Sequence, residues 1–218
     1  MKNILCFGDS NTWGYNAESG ARFDYSVRWT TNLQKSLGDD FNVIVEGLNG
    51  RTTVFEDLFS PYRNGSDYLP AALLSHAPLD AVVIMLGTND SKNFFRNTAF
   101  TIGLGIGRLV EIIQASETGP GRKSPKILLI SPVPVTSGRR DDAAFDLRAF
   151  ENLDGHDPAA VSEGLAAEFQ HKAGEYGCAF LDAADFAEVS PVDGVHLTAE
   201  GHKKLGPAVA DKIRKMGI

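Results

Sequence analysis

Three apolar runs in this chain each stop at a short polar turn built around glycine. Ile4-Leu5-Cys6-Phe7 meets Gly8-Asp9-Ser10-Asn11, Val43-Ile44-Val45 leads to Asn49-Gly50-Arg51, and residues 81–86 end at Gly87-Thr88-Asn89-Asp90. Short, continuous apolar runs fit strands covered on both faces, which points to a parallel sheet. Glycine lets the backbone bend sharply where a strand stops, and a helix that starts there favours developing negative charge. A serine at such a turn, like Ser10, stands where an α/β protein displays a nucleophile. Alone, a strand followed by Gly-Asp-Ser is an ordinary β-to-α connection with a capping residue.

Its companions give the turn weight. Near the C-terminal end of the sequence comes Asp193-Gly194-Val195-His196. Asp and His three residues apart, with glycine between, can fold so that the carboxylate meets one imidazole nitrogen while the other is left to take a proton. Asn89 ends the third run and can aim its amide into the same space, and Gly50 can offer an unobstructed backbone N–H. In an open parallel sheet the strand ends line one crevice. Ser10 as nucleophile, His196 as base, Asp193 as the orienting carboxylate and Gly50 and Asn89 as oxyanion donors would therefore converge.

The rest of the chain reads as alternating strands and helices. Strands are predicted over residues 2–7, 42–46, 80–86, 126–131 and 179–181. Trp29, Leu33 and Leu37 recur at helical spacing with Gly38 as a stop. Ser66 is predicted to cap a helix reaching residue 74, and a helix over 98–116 buries Ile102, Ile106, Leu109 and Ile113. Asp157-Pro158 signals a cap and first-turn proline for one helix to about residue 176, and Thr198 caps a last helix to about 216. This pattern predicts an α/β, three-layer α/β/α sandwich around a five-stranded parallel sheet, with residues 1–218 as a single domain. Two stretches, 47–65 and 132–157, exceed ordinary connection lengths, which suits functional loops. The second carries Arg139-Arg140-Asp141-Asp142 and the apolar Phe145, Leu147 and Phe150. It reads as a wall over the crevice at the strand ends or a subunit contact.

Composition limits the partners. In 218 residues, 28 acidic against 21 basic side chains leave a net charge of −7, which argues against nucleic acid or an anionic membrane. The first residues read as a strand rather than a secretory segment, and no apolar run is long enough to span a bilayer, so a cytoplasmic location is expected. Cys6 and Cys178 read as buried thiols, and no Cys/His cluster has metal-ligand spacing. Neither metal nor cofactor is expected. The glycines of Gly103-Leu104-Gly105-Ile106-Gly107 fall inside a helical pattern and follow no strand, so they read as close helix packing. His76, His156, His171 and His202 lack a carboxylate partner like that of His196 and read as surface or capping residues. Arg51 and Asp90 read as residues that order their loops.

These residues resemble those of the SGNH hydrolases, the GDSL esterase/lipase family. Gly8-Asp9-Ser10 matches the first family block, Gly50 the second, Gly87-Thr88-Asn89-Asp90 the third and Asp193-Gly194-Val195-His196 the last. Asn11 stands where the family name implies leucine. Within the family the chain is similar to the small bacterial arylesterase/acyltransferase subgroup, through Thr12-Trp13-Gly14, Val27-Arg28-Trp29, Arg51-Thr52-Thr53 and Tyr68-Leu69-Pro70. The resemblance implies a flavodoxin-like strand order and a Ser10–His196–Asp193 triad. It also implies an oxyanion hole from the Ser10 and Gly50 N–H groups with the Asn89 amide. Trp13 becomes a substrate-pocket wall, a role its position beside Ser10 also suggests. The implied substrate is a small ester of acetyl or another short acyl group on an aryl or simple alcohol. Water or an acceptor alcohol would resolve the acyl-enzyme. A homo-oligomer, up to an octamer, is implied as well. A carbohydrate O-deacetylase and a flavodoxin-like binding module without catalysis are the alternatives.

Overall fold

The structure, a computed structural model, describes residues 1–136 and 147–218. Arg139-Arg140-Asp141-Asp142 and Phe145, part of the predicted loop wall, lie outside the described residues.

Five parallel strands form one sheet: β1 (Lys2–Gly8), β2 (Phe41–Gly47), β3 (Ala81–Met85), β4 (Lys126–Ser131) and β5 (Ala179–Asp182). Their order is β2-β1-β3-β4-β5, the flavodoxin-like arrangement expected from the resemblance. Register is continuous across the centre: Cys6 lies beside Val45 and Val83, and Ile84 beside Leu129. β1 and β3 are covered on both faces. The edge strand β2 is only half-buried, which explains why its apolar run is shorter.

Side-chain alternation along the strands splits the core in two. Leu5, Phe7, Val82, Ile84 and Leu129 face α3 (Gly65–His76), α4 (Ala99–Gln114) and α6 (Leu165–Tyr176), where Leu73, Ile106 and Phe169 are fully buried. Ile4, Cys6, Val83, Met85 and Leu128 face α2 (Trp29–Leu37) and α7 (Ala199–Lys215), meeting Trp29, Leu33, Leu205 and Val209. Period-2 strands between period-3.6 helices bury both faces of the sheet, which makes the three layers.

Two sequence expectations change. The α3 cap is Asn64, whose Oδ1 accepts the N–H of Ser66 at 3.0 Å and its hydroxyl at 2.8 Å; the expected cap is thus itself captured. The helix expected from 158 to 176 is two helices, α5 (Pro158–Glu163) and α6, meeting at Gly164. There a Cβ would lie 2.8 Å from that of Ala99, so only glycine lets the junction approach α4. Gly103, Gly105 and Gly107 line α4 where it meets Glu168, Thr53 and Tyr176, as close packing requires.

The sheet order places the site. The chain leaves β1 for β2 on one side, then returns past β1 to β3, so the β1 and β3 carboxyl ends flank a topological switch point, where open α/β sheets bind ligands.

Candidate active site

Ser10 opens α1 (Ser10–Trp13), a single turn directly after β1. Asp9 caps it, its Oδ1 accepting the Asn11 N–H at 2.9 Å. Gly8 is required by space: a Cβ there would lie 2.1 Å from Thr12 Oγ1 and 2.8 Å from the Met85 carbonyl of the adjacent strand. The turn is therefore pressed against β3 with Ser10 nearly buried.

The partner loop is built by the same device. Asp193 Oδ1 accepts the N–H groups of Val195 at 2.9 Å and His196 at 3.0 Å. Gly194 has φ +68°, and its face lies against Thr136, whose N–H donates to the Gly194 carbonyl at 2.8 Å. So folded, Asp193 Oδ2 lies 2.6 Å from His196 Nδ1, and His196 Nε2 lies 2.9 Å from Ser10 Oγ. Asp193 and His196 are both buried. Burial pushes the Asp193 carboxyl up, but the His196 hydrogen bond and charge and the two backbone N–H groups outweigh it and hold the acid below its ordinary value. A carboxylate there keeps the proton on Nδ1 and leaves Nε2 to accept from the serine.

Two residues that sequence reasoning passed over hold this pair. The Asn11 side chain straddles His196: its Oδ1 accepts the Leu197 N–H at 2.9 Å and its Nδ2 donates to the Val195 carbonyl at 3.4 Å. The departure from leucine at this position was the available signal. Tyr15 packs its ring 4.2 Å from the imidazole, centroid to centroid; nothing in the sequence set it apart.

Gly50 and Asn89 come from the neighbouring strand ends. Asn89 Nδ2 donates to the Arg51 carbonyl at 3.1 Å, which ties the turn after β3 to the residue following Gly50, itself at φ +82°. Arg51 stacks 4.1 Å over the Phe7 ring and donates to the Gly8 carbonyl at 2.9 Å and to that of Glu46. Asp90 Oδ1 accepts both the N–H and the hydroxyl of Thr53, at 2.8 and 2.5 Å. Arg51 and Asp90 thus order these loops, as the sequence suggested. Asp9 and Asp90 are both fully enclosed: burial pushes Asp9 up to about 7 and Asp90 to about 6, each against its own hydrogen bonds, and the Asp90 charge raises Asp9 further.

Trp13 is half-buried rather than in the deep core, with the Arg22 guanidinium 4.9 Å over its ring. His202 is a capping residue, one of the two roles expected of it, but it does not lie on the surface. It is fully buried beneath Phe23, and its Nδ1 accepts the Trp29 N–H at 3.2 Å, at the start of α2, where Arg28 supplies no side-chain cap. Burial pushes it down to about 3, helped by the His196 and Arg28 charges. Phe150, from the stretch read as a wall or a subunit contact, is buried: with Val135 and Val195 it forms a small core under the histidine loop, and Leu147 packs on it. Among the described residues no group of His, Cys, Asp and Glu has a metal-binding arrangement, and no helix is long and apolar enough to cross a membrane.

Comparison with known proteins identifies the family and matches the fold. The model of the GDSL-like lipase/acylhydrolase family matches residues 6–204. Among solved structures, the aryl esterase of M. smegmatis is 41% identical, with 99% of each chain covered and a TM-score of 0.88. Est24, a carbohydrate acetylesterase from Sinorhizobium meliloti, is 37% identical over 99% of this chain and 100% of its own, with a TM-score of 0.89. An acetylxylan esterase of Xylanibacter ruminicola is 28% identical over 97% of this chain, which spans 43% of that relative's length.

Proposed function

Since the chain belongs to the GDSL-like lipase/acylhydrolase family, we propose that it is a serine esterase cleaving short-chain acyl esters, acetyl esters above all, of aryl or simple alcohols. The observation that carries this reading is the unbroken line from Ser10 Oγ through His196 to Asp193, at 2.9 and 2.6 Å. His196 Nε2 takes the hydroxyl proton as Oγ attacks the ester carbonyl. Asp193 fixes the tautomer and stabilises the imidazolium. The N–H groups of Ser10 and Gly50 and the free N–H of the Asn89 amide, held by the Arg51 carbonyl, receive the oxyanion; one such donor lowers the barrier by about 3–4 kcal/mol. The protonated imidazole then releases the alcohol, and water or a second alcohol opens the acyl-enzyme, which makes acyl transfer the companion activity. Trp13 borders the substrate, and the chain works as a homo-oligomer, a state that light scattering tests directly.

Hydrolysis of p-nitrophenyl acetate, butyrate and octanoate tests the reading, with Ser10→Ala in parallel. Turnover is expected to fall with chain length and to drop at least ~10⁴-fold in the variant. Near-normal activity of Ser10→Ala overturns the assignment. A carbohydrate O-deacetylase is the second reading, favoured by the likeness to Est24 and the acetylxylan esterase. Preference for acetylated sugars over aryl acetates selects it.

A further inference from the structure

Tyr15 does more than fill space beside the Ser10–His196 pair. The turn that presents Ser10 runs straight into it: the Gly14 and Tyr15 N–H groups both donate to the Ser10 carbonyl, at 2.8 and 3.0 Å. A β-bridge to Arg22 fastens residue 15 from the other side, and the Phe23 N–H donates to the Gly14 carbonyl at 2.7 Å. So anchored, the Tyr15 ring lies against the His196 imidazole with 4.2 Å between centroids and 36° between planes, and both side chains are buried. At that distance and tilt the contact is face to face rather than edge on.

The contact acquires a consequence when the imidazole becomes charged. Under the esterase reading, on which this inference rests, His196 is neutral before attack and an imidazolium in the transition state. The face of an aromatic ring carries negative charge density and attracts a cation, most strongly where water is excluded. Burial first, then the Asp193 charge, pushes the Tyr15 phenol up from its ordinary value, so the ring meets the imidazole as a neutral phenol. Titratable neighbours act on the imidazole as well: Asp193 on its own loop, Ser10 on α1 and His202 on α7. His202, pushed down to about 3 chiefly by burial, is neutral and adds no repulsion. Asp193 meets the cation at its edge, through Nδ1, and Tyr15 covers its face. We propose that Tyr15 is a positioning residue for His196 whose ring face favours the imidazolium over the neutral imidazole, and so lowers the barrier to proton transfer from Ser10.

The cation is favoured in the free enzyme and in the transition state alike, so one interaction governs two observables. Tyr15→Leu is expected to lower the plateau of kcat/KM on p-nitrophenyl acetate about tenfold and to move the acid limb of the profile down by about one pH unit. The variant and wild-type profiles then converge at low pH, where the histidine already carries its proton. Tyr15→Phe keeps the ring and is expected to retain both plateau and limb. Pentafluorophenylalanine at position 15 keeps the shape but drains the ring face, and is expected to behave as Tyr15→Leu does. A ring that only props the histidine loop lowers the plateau and leaves the limb in place. Parallel profiles therefore overturn the proposal, as does a fluorinated ring that works like Tyr15→Phe. The His196 ring protons, followed by NMR through pH in Ser10→Ala, should titrate about one unit lower once Tyr15→Leu is added. That shift is read without turnover, so it tests the ring contact even if Ser10-independent hydrolysis removes the esterase reading. Its absence overturns the ring contact while the esterase reading stands on Ser10→Ala alone.

Discussion

Gly105 lies on α4, remote from Ser10 in sequence, yet alanine there should damage both stability and catalysis. A Cβ at this position would meet Thr53 Oγ1 at 2.4 Å, Thr53 Cβ at 3.1 Å and Val54 Cγ2 at 3.2 Å. Thr53 must therefore retreat by most of an ångström, and overpacking of this kind costs about 1–3 kcal/mol. The retreating hydroxyl is the one that donates to Asp90 Oδ1, and Asp90 is fully buried with its other oxygen unpartnered. Loosening that bond adds about 1–3 kcal/mol. Alanine returns only about 0.5–1 kcal/mol through helix propensity. The net loss is about 1–5.5 kcal/mol, a fall in Tm of roughly 2–4 °C per kcal/mol for a chain of this size. Gly174→Ala on α6 is the control: nothing lies within 4 Å of its Cβ, so the helix term acts alone and the variant gains about 0.5–1 kcal/mol. Urea unfolding measures both. Thr53 and Asp90 border the Gly50 and Asn89 loops, so Gly105→Ala is also expected to lower kcat on p-nitrophenyl acetate with KM little changed, assayed well below its Tm. If Gly105→Ala proves as stable as Gly174→Ala, the packing argument fails.

Three further outcomes follow from buried polar groups. Asn11→Leu removes both bonds that straddle His196 and leaves the Leu197 N–H and the Val195 carbonyl without their partner, so kcat should fall at least about tenfold while the fold survives; unchanged kcat would show that the histidine loop holds itself. His202 is neutral in the folded chain, its pKa lowered to about 3, so the unfolded chain binds the extra proton and stability is lost as pH falls below 6.5, by about 2 kcal/mol at pH 5. His202→Gln should erase that part of the acid sensitivity, read as its ΔΔG at pH 5 against pH 7. Asp9, raised to about 7, acts in the opposite sense: its contribution is present near pH 4 and is lost as pH rises through about 7, so Asp9→Asn should gain stability relative to wild type between pH 5 and 8; a pH-independent difference would place its titration elsewhere.

The features legible in the sequence were local ones. Strand runs, glycine stops and caps are read from residues within a turn of one another, which is why β1 to β5 and the starts of α4 and α7 fell where expected. Gly164 was invisible as a break because glycine is tolerated inside helices; what splits α5 from α6 is Ala99, which packs against the junction from α4. His202 occupies an unremarkable helical position, and only the Trp29 N–H, 173 residues earlier, makes it a buried cap. Asn11 was passed over for the same reason, since its partners lie 184 and 186 residues away.

Yet the Ser10–His196 contact, equally distant in sequence, was legible, and the difference is instructive. Each half of that contact is preformed by a short local turn: Asp9 Oδ1 receives the N–H of Asn11, and Asp193 Oδ1 receives the N–H of Val195, both two residues on. Such turns hold their shape with little help from the rest of the chain. The sheet then has only to bring two finished pieces to one switch point, and strand order does that. A long-range site is readable when its halves are locally determined. Where a side chain takes its geometry from the far partner itself, as Asn11 and His202 do, the sequence shows the residue and conceals its role.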